Sequence, residues 1–193
     1  MHARDTAGLL VRARDGSDAA LDELLRRYAG KLRSLIRLRM GRELRASTES
    51  GDVLNATWLK AFVRIGQLHA EDGTSFMGWL ARIAENEIHD LREFQRRGKR
   101  DRMAEVPIDD GDRELAARIR TQTSRVALRE GLDRLERAME QLETDHREVI
   151  VLRMLEELTF PEVAERMGRT PDACRMLFAR AMTALTLRMR ETT

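Results

Sequence analysis

The chain has 193 residues, of which 42% are hydrophobic and 35% charged, and its single cysteine is Cys174. Such a composition can form one ordinary hydrophobic core or two small ones, and one cysteine excludes an intrachain disulfide and a thiolate metal cluster. The 35 basic and 33 acidic residues leave a net charge of +2, which alone does not indicate nucleic-acid binding.

Neither export nor membrane insertion is predicted. The aliphatic run at 149–152 is far shorter than the roughly 18 apolar residues that a membrane span needs. An acidic residue, Asp5, stands where a signal peptide would have its apolar stretch. The four histidines are scattered without ligand spacing, so we expect no metal site and no cofactor. We expect a cytoplasmic protein that does not bind membranes.

Apolar residues recur with a helical period through the amino-terminal half. The first stripe, at 21–36, follows a candidate helix cap, Ser17, and is predicted to end at Gly41. The second stripe, at 54–65, is closed by Gly66. No Asp-Gly pair lies between alternating strands, so no hairpin is predicted.

A third stripe, at 76–91, opens after the candidate cap Ser75 and runs into a basic stretch. Apolar content then falls, and a proline and a glycine appear near a run of aspartates, as is typical of a linker. Helical periodicity resumes in the last third of the chain. We therefore predict an all-α fold with two small helical domains, at 1–100 and 128–193, joined by a polar linker at 101–127.

The carboxy-terminal domain carries the signals of a helix-turn-helix. Thr159 and Glu162 have the spacing of a capping box, which begins a short helix. Gly168 is suited to the left-handed residue after that helix, and Thr170 followed by Pro171 begins the next one. Two short helices joined by a tight turn with a glycine form this motif.

The second helix of the motif is predicted to read DNA. Its residues Cys174 and Leu177 fall on the inward face, and arginines elsewhere suit bidentate contacts to guanine or phosphate. An ordinary helical hairpin with a solvated charged face is the alternative, but the two capped helix starts favour DNA binding. The residues expected to face solvent or a DNA groove are Arg169, Thr170, Asp172, Arg175, Met176, Ala179 and Arg180.

Motifs in both halves resemble conserved regions of bacterial sigma factors. The segments LETDHREVIVLR (142–153) and ELTFPEVAE (157–165) are similar to the fourth conserved region of the family. DVLNATWLKAF (52–62) resembles its polymerase-binding helix, and FMGWLARIAENEIHD (76–90) resembles the helix that recognises the minus-10 promoter element. Two such domains joined by a short linker are the layout of extracytoplasmic-function (group IV) sigma factors.

The resemblance implies a protein that binds the core of RNA polymerase, brings it to specific promoters and helps to open the start-site duplex. The loop 66–75 and the helix after it would capture an unstacked minus-10 base, which can be recognised on its pairing edge only outside the stack. The implied minus-10 contacts are Arg82, Asn86, Asp90, Arg92, Arg96 and Arg97. The implied minus-35 contacts are Arg169, Thr170, Asp172, Arg175, Met176 and Arg180. The implied polymerase contacts are Glu49, Asp52, Asn55, Thr57, Trp58 and Lys60.

Departures from the family pattern lie in the polymerase-binding segment and the DNA-reading helix. Gly51 and Ala56 replace two expected carboxylates, so fewer negative charges face a basic partner surface. One hypothesis is that a Ser/Thr kinase restores the charge; its candidate sites are Ser47, Thr48, Ser50 and Thr57. The alternative is that Glu49 and Asp52 suffice and the hydroxyls only cap helices. In the DNA-reading helix, Leu177 and Phe178 replace a common arginine and a common leucine.

Other functions are less consistent with the sequence. A stand-alone helix-turn-helix regulator that binds duplex DNA as a dimer would not need the sigma-like amino-terminal half. A helical adaptor or enzyme domain is a third alternative. No phosphate-binding glycine loop, catalytic triad order or metal motif is present, so we do not expect an enzyme. Control by an anti-sigma factor is an expectation from the family alone.

Overall fold

The structure is a computed structural model that describes residues 2–67, 75–97, 117, 119 and 130–191. Every regular element within these ranges is helical, which confirms the predicted all-α class. The amino-terminal elements are α1 (His2–Arg14), α2 (Asp18–Arg45), α3 (Ser50–Val63), a 3-10 turn (Ile65–Gln67) and α4 (Phe76–Arg96). The carboxy-terminal elements are α5 (Glu130–Glu140), α6 (Thr144–Ile150), a π-helical turn (Val151–Leu155), α7 (Phe160–Met167) and α8 (Pro171–Glu191).

The chain divides into two compact units. One unit comprises 1–73 and 80–128, and the other comprises 74–79 and 129–193. The beginning of α4 therefore groups with the second unit, which the sequence does not predict. Within the predicted linker only Ala117 and Ile119 are described; both are helical, and Ile119 is fully buried. The linker boundaries stay a prediction, because most of 101–127 lies outside the described residues.

The apolar stripes of the first unit form its core. Leu24, Leu32 and Ile36 on α2 are fully buried, as are Leu80 and Ala84 on α4. Removing a leucine side chain from water in this way contributes about 1.5–3 kcal/mol. The stripes predicted from the sequence are therefore the core-facing sides of these helices.

Serine side chains cap two of the predicted helices. The Ser17 hydroxyl accepts a hydrogen bond from the backbone N–H of Ala20 at 3.4 Å, before α2. The Ser75 hydroxyl accepts one from the N–H of Gly78 at 3.0 Å, before α4. The Ala20 N–H also donates to the Ser17 carbonyl oxygen at 3.1 Å, so there the hydroxyl is a second acceptor. Side-chain oxygens at such positions pair N–H groups of the first helical turn. The predicted starts of α2 and α4 are therefore confirmed.

The predicted helix ends differ in detail from the observed ones. Gly41 leaves the helical conformation, with φ 70° and ψ 174°, but α2 resumes beyond this kink and continues to Arg45. Glycine adopts such a positive φ without the steric cost of a Cβ atom. Helix α3 ends at Val63, before the predicted stop at Gly66, and a 3-10 turn follows.

The helix α1 was not predicted. It packs on α2 through buried Leu9 and through a hydrogen bond between the hydroxyls of Thr6 and Tyr28, which lie 2.7 Å apart. A buried hydroxyl pair of this kind satisfies two polar groups that would otherwise be costly to remove from water. Helix α1 therefore completes the core on one side of α2.

Candidate nucleic-acid interface

Helices α7 and α8 form the predicted helix-turn-helix. The Glu162 carboxylate accepts hydrogen bonds from the N–H and the hydroxyl of Thr159, both at 2.6 Å, and so fixes the start of α7. Gly168 ends α7 in the left-handed region, with φ 63°. The Thr170 hydroxyl then accepts a hydrogen bond from the N–H of Ala173 at 3.2 Å, at the start of α8. The capping signals in the sequence are confirmed one by one.

Helix α8 separates a buried side from an exposed one. Cys174, Ala181 and Leu185 are buried, with Cys174 fully so, whereas Leu177 is only half-buried. The predicted minus-35 residues are all exposed; Arg169 and Thr170 lie in the turn before α8, and Asp172, Arg175, Met176 and Arg180 lie on the exposed side of the helix. Met176 is 60% exposed, which is unusual for a large apolar side chain in a core helix. The geometry matches a helix whose outer face is available to a groove of DNA.

Two arginines of this face have acidic partners within the second unit. Arg169 in the turn forms an ion pair with Asp145 at the start of α6. Arg175 forms an ion pair with Asp172, one turn earlier on α8. Both pairs are largely exposed, so each contributes little to stability. What the two ion pairs do is orient the guanidinium groups, because each one is bonded to a particular carboxylate.

An aromatic ring adds a second contact to Arg175. The Arg175 guanidinium lies over the ring of Phe160, 5.4 Å from its centroid. The Arg153 guanidinium lies over the same ring at 5.1 Å. The edge of the ring meets Phe178 on α8, with the centroids 5.9 Å apart and the planes at 72°. Phe160 therefore contacts two charged side chains, those of Arg153 and Arg175, and one aromatic side chain, that of Phe178.

The predicted minus-10 residues share one face of α4. Helical spacing places them opposite the buried residues Leu80, Ala84 and Ile88. Each of the six is exposed, namely Arg82, Asn86, Asp90, Arg92, Arg96 and Arg97. The structure therefore brings them together along one side of the helix. The loop 66–75 lies mostly outside the described residues.

Some α4 arginines have contacts that the sequence analysis did not assign. Arg96 and Arg97 both donate to the Glu93 carboxylate, at 3.3 and 3.4 Å. Arg92 donates to the backbone carbonyl oxygen of Arg39 on α2. Arg92 therefore also holds α4 against α2. Arg96 and Arg97 share the carboxylate of Glu93, and both of their hydrogen bonds to it are long.

The predicted polymerase-binding residues do not all reach the surface. Thr57 and Trp58 are both 0% exposed, so in this structure they belong to the core of the first unit. The Thr57 hydroxyl donates to the carbonyl oxygen of Val53 at 2.7 Å, and the Trp58 ring stacks on Phe62 with 5.2 Å between centroids. Burial assigns these two side chains to packing rather than to a partner surface, which corrects the expectation for them.

The other polymerase-binding candidates remain at the surface. Glu49 and Asp52 are exposed at the beginning of α3, and Asn55 is half-buried. Lys60 is partly exposed and forms an ion pair with Glu87 on α4. The exposed side of α3 around the two carboxylates therefore stays the predicted contact surface for polymerase.

No group of His, Cys, Asp and Glu side chains among the described residues could hold a metal ion. Within the same ranges, no helix has the length and apolar character to cross a membrane.

Trp79 is half-buried and stacks on Phe76, with 5.8 Å between ring centroids. These side chains indicate packing at the start of α4.

Comparison with known proteins identifies the family. A family model described as Sigma-70 region 2 matches residues 24–98, and one described as Sigma-70, region 4 matches 132–185. The chain is similar to RNA polymerase sigma factor CarQ of Myxococcus xanthus, with 31% identity over 174 residues that cover 86% of this chain and 87% of CarQ. The chain belongs to the extracytoplasmic-function sigma factors of bacterial RNA polymerase. This sigma factor directs core polymerase to specific promoters and assists the initiation of transcription.

Two solved structures are similar to this sigma factor. One shows CnrH in complex with the cytosolic domain of CnrY; the identity is 23%, the TM-score 0.49, and the match covers 96% of this chain and 97% of that one. The other shows an RsbN–BldN complex, at 22% identity and a TM-score of 0.36, with 92% and 96% covered.

Several contacts that shape the predicted interface of this sigma factor were missed by sequence reasoning. The ion pairs that Asp172 and Glu93 form join each acid to an arginine about one helical turn further along, and that spacing predicts an ion pair, so these contacts could have been found. Asp145 and Phe160 meet their partners only because the chain folds back on itself. No local signal reveals such contacts.

Proposed function

We propose that this sigma factor divides promoter recognition between its two units. Helix α8 reads the minus-35 duplex, and the exposed face of α4, with the loop 66–75, captures the minus-10 element. The exposed side of α3 contacts core polymerase. The observation that supports this division best is the row of exposed arginine and polar side chains on α8, the second helix of a capped helix-turn-helix.

The chemistry of α8 suits a major groove. An arginine such as Arg175 can donate two hydrogen bonds to guanine O6 and N7, and Asp172 can accept one from cytosine N4. Arg169 and Thr170 lie at the beginning of the helix, where contacts to phosphate fix its register on the duplex. Arg180, nearly three turns further along, would reach the backbone at the far side of the groove.

The exposed face of α4 combines amide, carboxylate and guanidinium groups. Asn86 and Asp90 can form hydrogen bonds with the pairing edge of a base that has left the stack. Arg82, Arg96 and Arg97 can neutralise the phosphates on either side of it. The contact between Arg96, Arg97 and Glu93 is long and exposed, so phosphate can replace the carboxylate at little cost.

The upstream assignment is tested with reconstituted holoenzyme and a promoter selected from randomised DNA by the wild-type protein. Arg175→Ala should relax base preference at one upstream position by about 1–3 kcal/mol. The control is Arg26→Ala on α2, whose side chain is 70% exposed and lies outside the proposed contacts. Equal preference in wild type and Arg175→Ala would remove this residue from the DNA-reading face.

The minus-10 assignment is tested by promoter opening on the same selected template. Asn86→Ala should slow opening of linear DNA and leave upstream binding unchanged, and negative supercoiling should restore the rate because it lowers the cost of melting. An upstream-binding defect in Asn86→Ala would contradict the assignment. If the wild-type protein protects duplex DNA on its own and does not bind polymerase, it is instead a stand-alone regulator.

Other parts of the proposal rest on the family. The protein acts in the cytoplasm, has no catalytic activity of its own and requires no cofactor, and an anti-sigma factor controls its access to polymerase.

Burial reduces the number of hydroxyl groups that a kinase could reach, because Thr57 is fully buried and its hydroxyl is bonded to a carbonyl group. The remaining candidate hydroxyls are Ser47, Thr48 and Ser50. Equal polymerase binding by wild type and acidic variants at these positions would exclude such a switch.

A further inference from the structure

Phe160 occupies an unusual position between the two helices of the motif. It is the first residue of α7, and its ring lies under the guanidinium of Arg175 on α8. The residue is half-buried, so part of it remains accessible to solvent. An aromatic face attracts a guanidinium through its quadrupole and also offers it a flat stacking surface.

The ring itself is held in place by groups other than Arg175. Arg153 lies over it at 5.1 Å and is anchored, because its Nη1 donates to the carbonyl oxygen of Leu158 at 3.1 Å. The edge of the ring packs on Phe178, an arrangement that aromatic pairs prefer. Phe160 therefore presents a fixed surface to Arg175 rather than a mobile one.

Arg175 is held by the ring and by the carboxylate of Asp172. Its side chain is nevertheless 54% exposed, so these contacts orient the guanidinium without removing it from the surface. A free arginine side chain loses rotamer freedom when it binds a base, whereas one that is already oriented loses less. Orientation also matters for selectivity, because the bidentate contact to guanine requires the planar fork in one geometry.

We propose that Phe160 is a positioning residue that sets the base selectivity of Arg175 in the minus-35 element. The inference rests on the proposed role of α8 in reading that element. The phenyl ring has no hydrogen-bonding group, so it cannot itself distinguish base edges by hydrogen bonds. An effect of the ring on recognition of guanine must therefore pass through Arg175.

The test is a double-mutant cycle in reconstituted holoenzyme, with base preference at each upstream position as the readout. Phe160→Leu should lower the preference at the Arg175 position by about threefold to tenfold and leave binding to non-promoter DNA unchanged. In the Arg175→Ala background, the same change should have no further effect. Phe160→Tyr keeps the ring face and should retain the wild-type preference.

The matched control is Phe62→Leu on α3, which removes a ring stacked on Trp58 in the first unit and leaves Phe160, Phe178 and Arg175 unchanged. It should preserve base preference even where it lowers the melting temperature. If Phe160→Leu is poorly folded, Phe160→Met replaces it, because methionine fills an apolar site of similar size but has no aromatic face. Phe160→Met should then show the loss of preference on its own.

The outcomes separate this inference from the proposed function. If Arg175→Ala does not change base preference, the proposed role of Arg175 fails and this inference fails with it. If Arg175→Ala lowers the preference while Phe160→Leu and Phe160→Met do not, only the inference is overturned. An equal effect of Phe160→Leu in both backgrounds would show that the ring acts on the fold and not through Arg175.

Discussion

Lys60 on α3 donates a hydrogen bond to the carboxylate of Glu87 on α4, a residue 27 positions further along the chain. The Glu87 side chain is only 14% exposed, whereas that of Lys60 is 39% exposed. The pair therefore ties together the two helices to which polymerase binding and minus-10 capture are assigned. Lys60 can hold α4 and still reach a partner surface.

Breaking this pair should destabilise the first unit. We expect Lys60→Met to lower the free energy of unfolding by about 1–2 kcal/mol, because it leaves a largely buried carboxylate without its cation. The exchanged pair, Lys60→Glu with Glu87→Lys, should recover most of that loss in denaturant unfolding but should not recover polymerase affinity. Full recovery of affinity in the exchanged variant would show that Lys60 acts only through Glu87.

A second prediction concerns the turn of the helix-turn-helix. Gly168 has φ 63°, and no atom lies within 4 Å of a Cβ built at this position. Gly168→Ala should therefore cost about 1–2 kcal/mol through backbone strain alone. The control is Gly51→Ala in α3, also in open space, which should be neutral or stabilising by up to about 1 kcal/mol. Similar effects of the two substitutions on thermal unfolding would contradict the conformational explanation.

A third prediction concerns Gly51, which stands at the start of α3 where the family pattern has a carboxylate. Gly51→Asp should raise affinity for core polymerase severalfold, because it adds a negative charge next to exposed Asp52. It should also stabilise α3 by about 0.3–1 kcal/mol, since anionic side chains are favoured in the first turn of a helix. Gly51→Asn is the neutral control in a competition assay for core enzyme. Equal affinities of the two variants would show that the missing carboxylate is not limiting.

A fourth prediction concerns pH. Hydrogen bonds from Arg26, and also from Arg27, hold the pKa of Glu23 below its usual value of 4.5. A carboxylate whose pKa is lower in the folded state stabilises the fold above its unfolded pKa, and this contribution is lost as the pH falls through the folded pKa. Glu23→Gln should therefore cost about 0.3–0.5 kcal/mol at pH 7. The difference from wild type in thermal unfolding should shrink below pH 4.5; a constant difference down to strongly acidic pH would rule out this linkage.

The sequence predicted those parts of the structure that depend on neighbouring residues. The caps at Ser17 and Ser75 and the Thr159–Glu162 box act over one helical turn, so their spacing alone reveals them. The exposed faces of α4 and α8 follow in the same way from helical period.

The sequence did not predict features that depend on tertiary contacts. Helix α1 was missed because its packing uses a hydroxyl, that of Thr6, where a periodic analysis looks for an apolar residue. Thr57 and Trp58 were assigned to a partner surface although α3 turns them into the core. The contacts of Arg169 with Asp145 and of Arg175 with Phe160 join residues that only the turn brings together.

The complete burial of Cys174 on the inward side of α8 makes its thiol a natural probe of local opening. The sequence contains one cysteine, and its thiol is shielded by the packing of the helix-turn-helix. A thiol reagent can then react only when this motif opens, so the labelling rate measures the free energy of that opening without any introduced probe. The same measurement on promoter-bound holoenzyme would show how far DNA closes the motif.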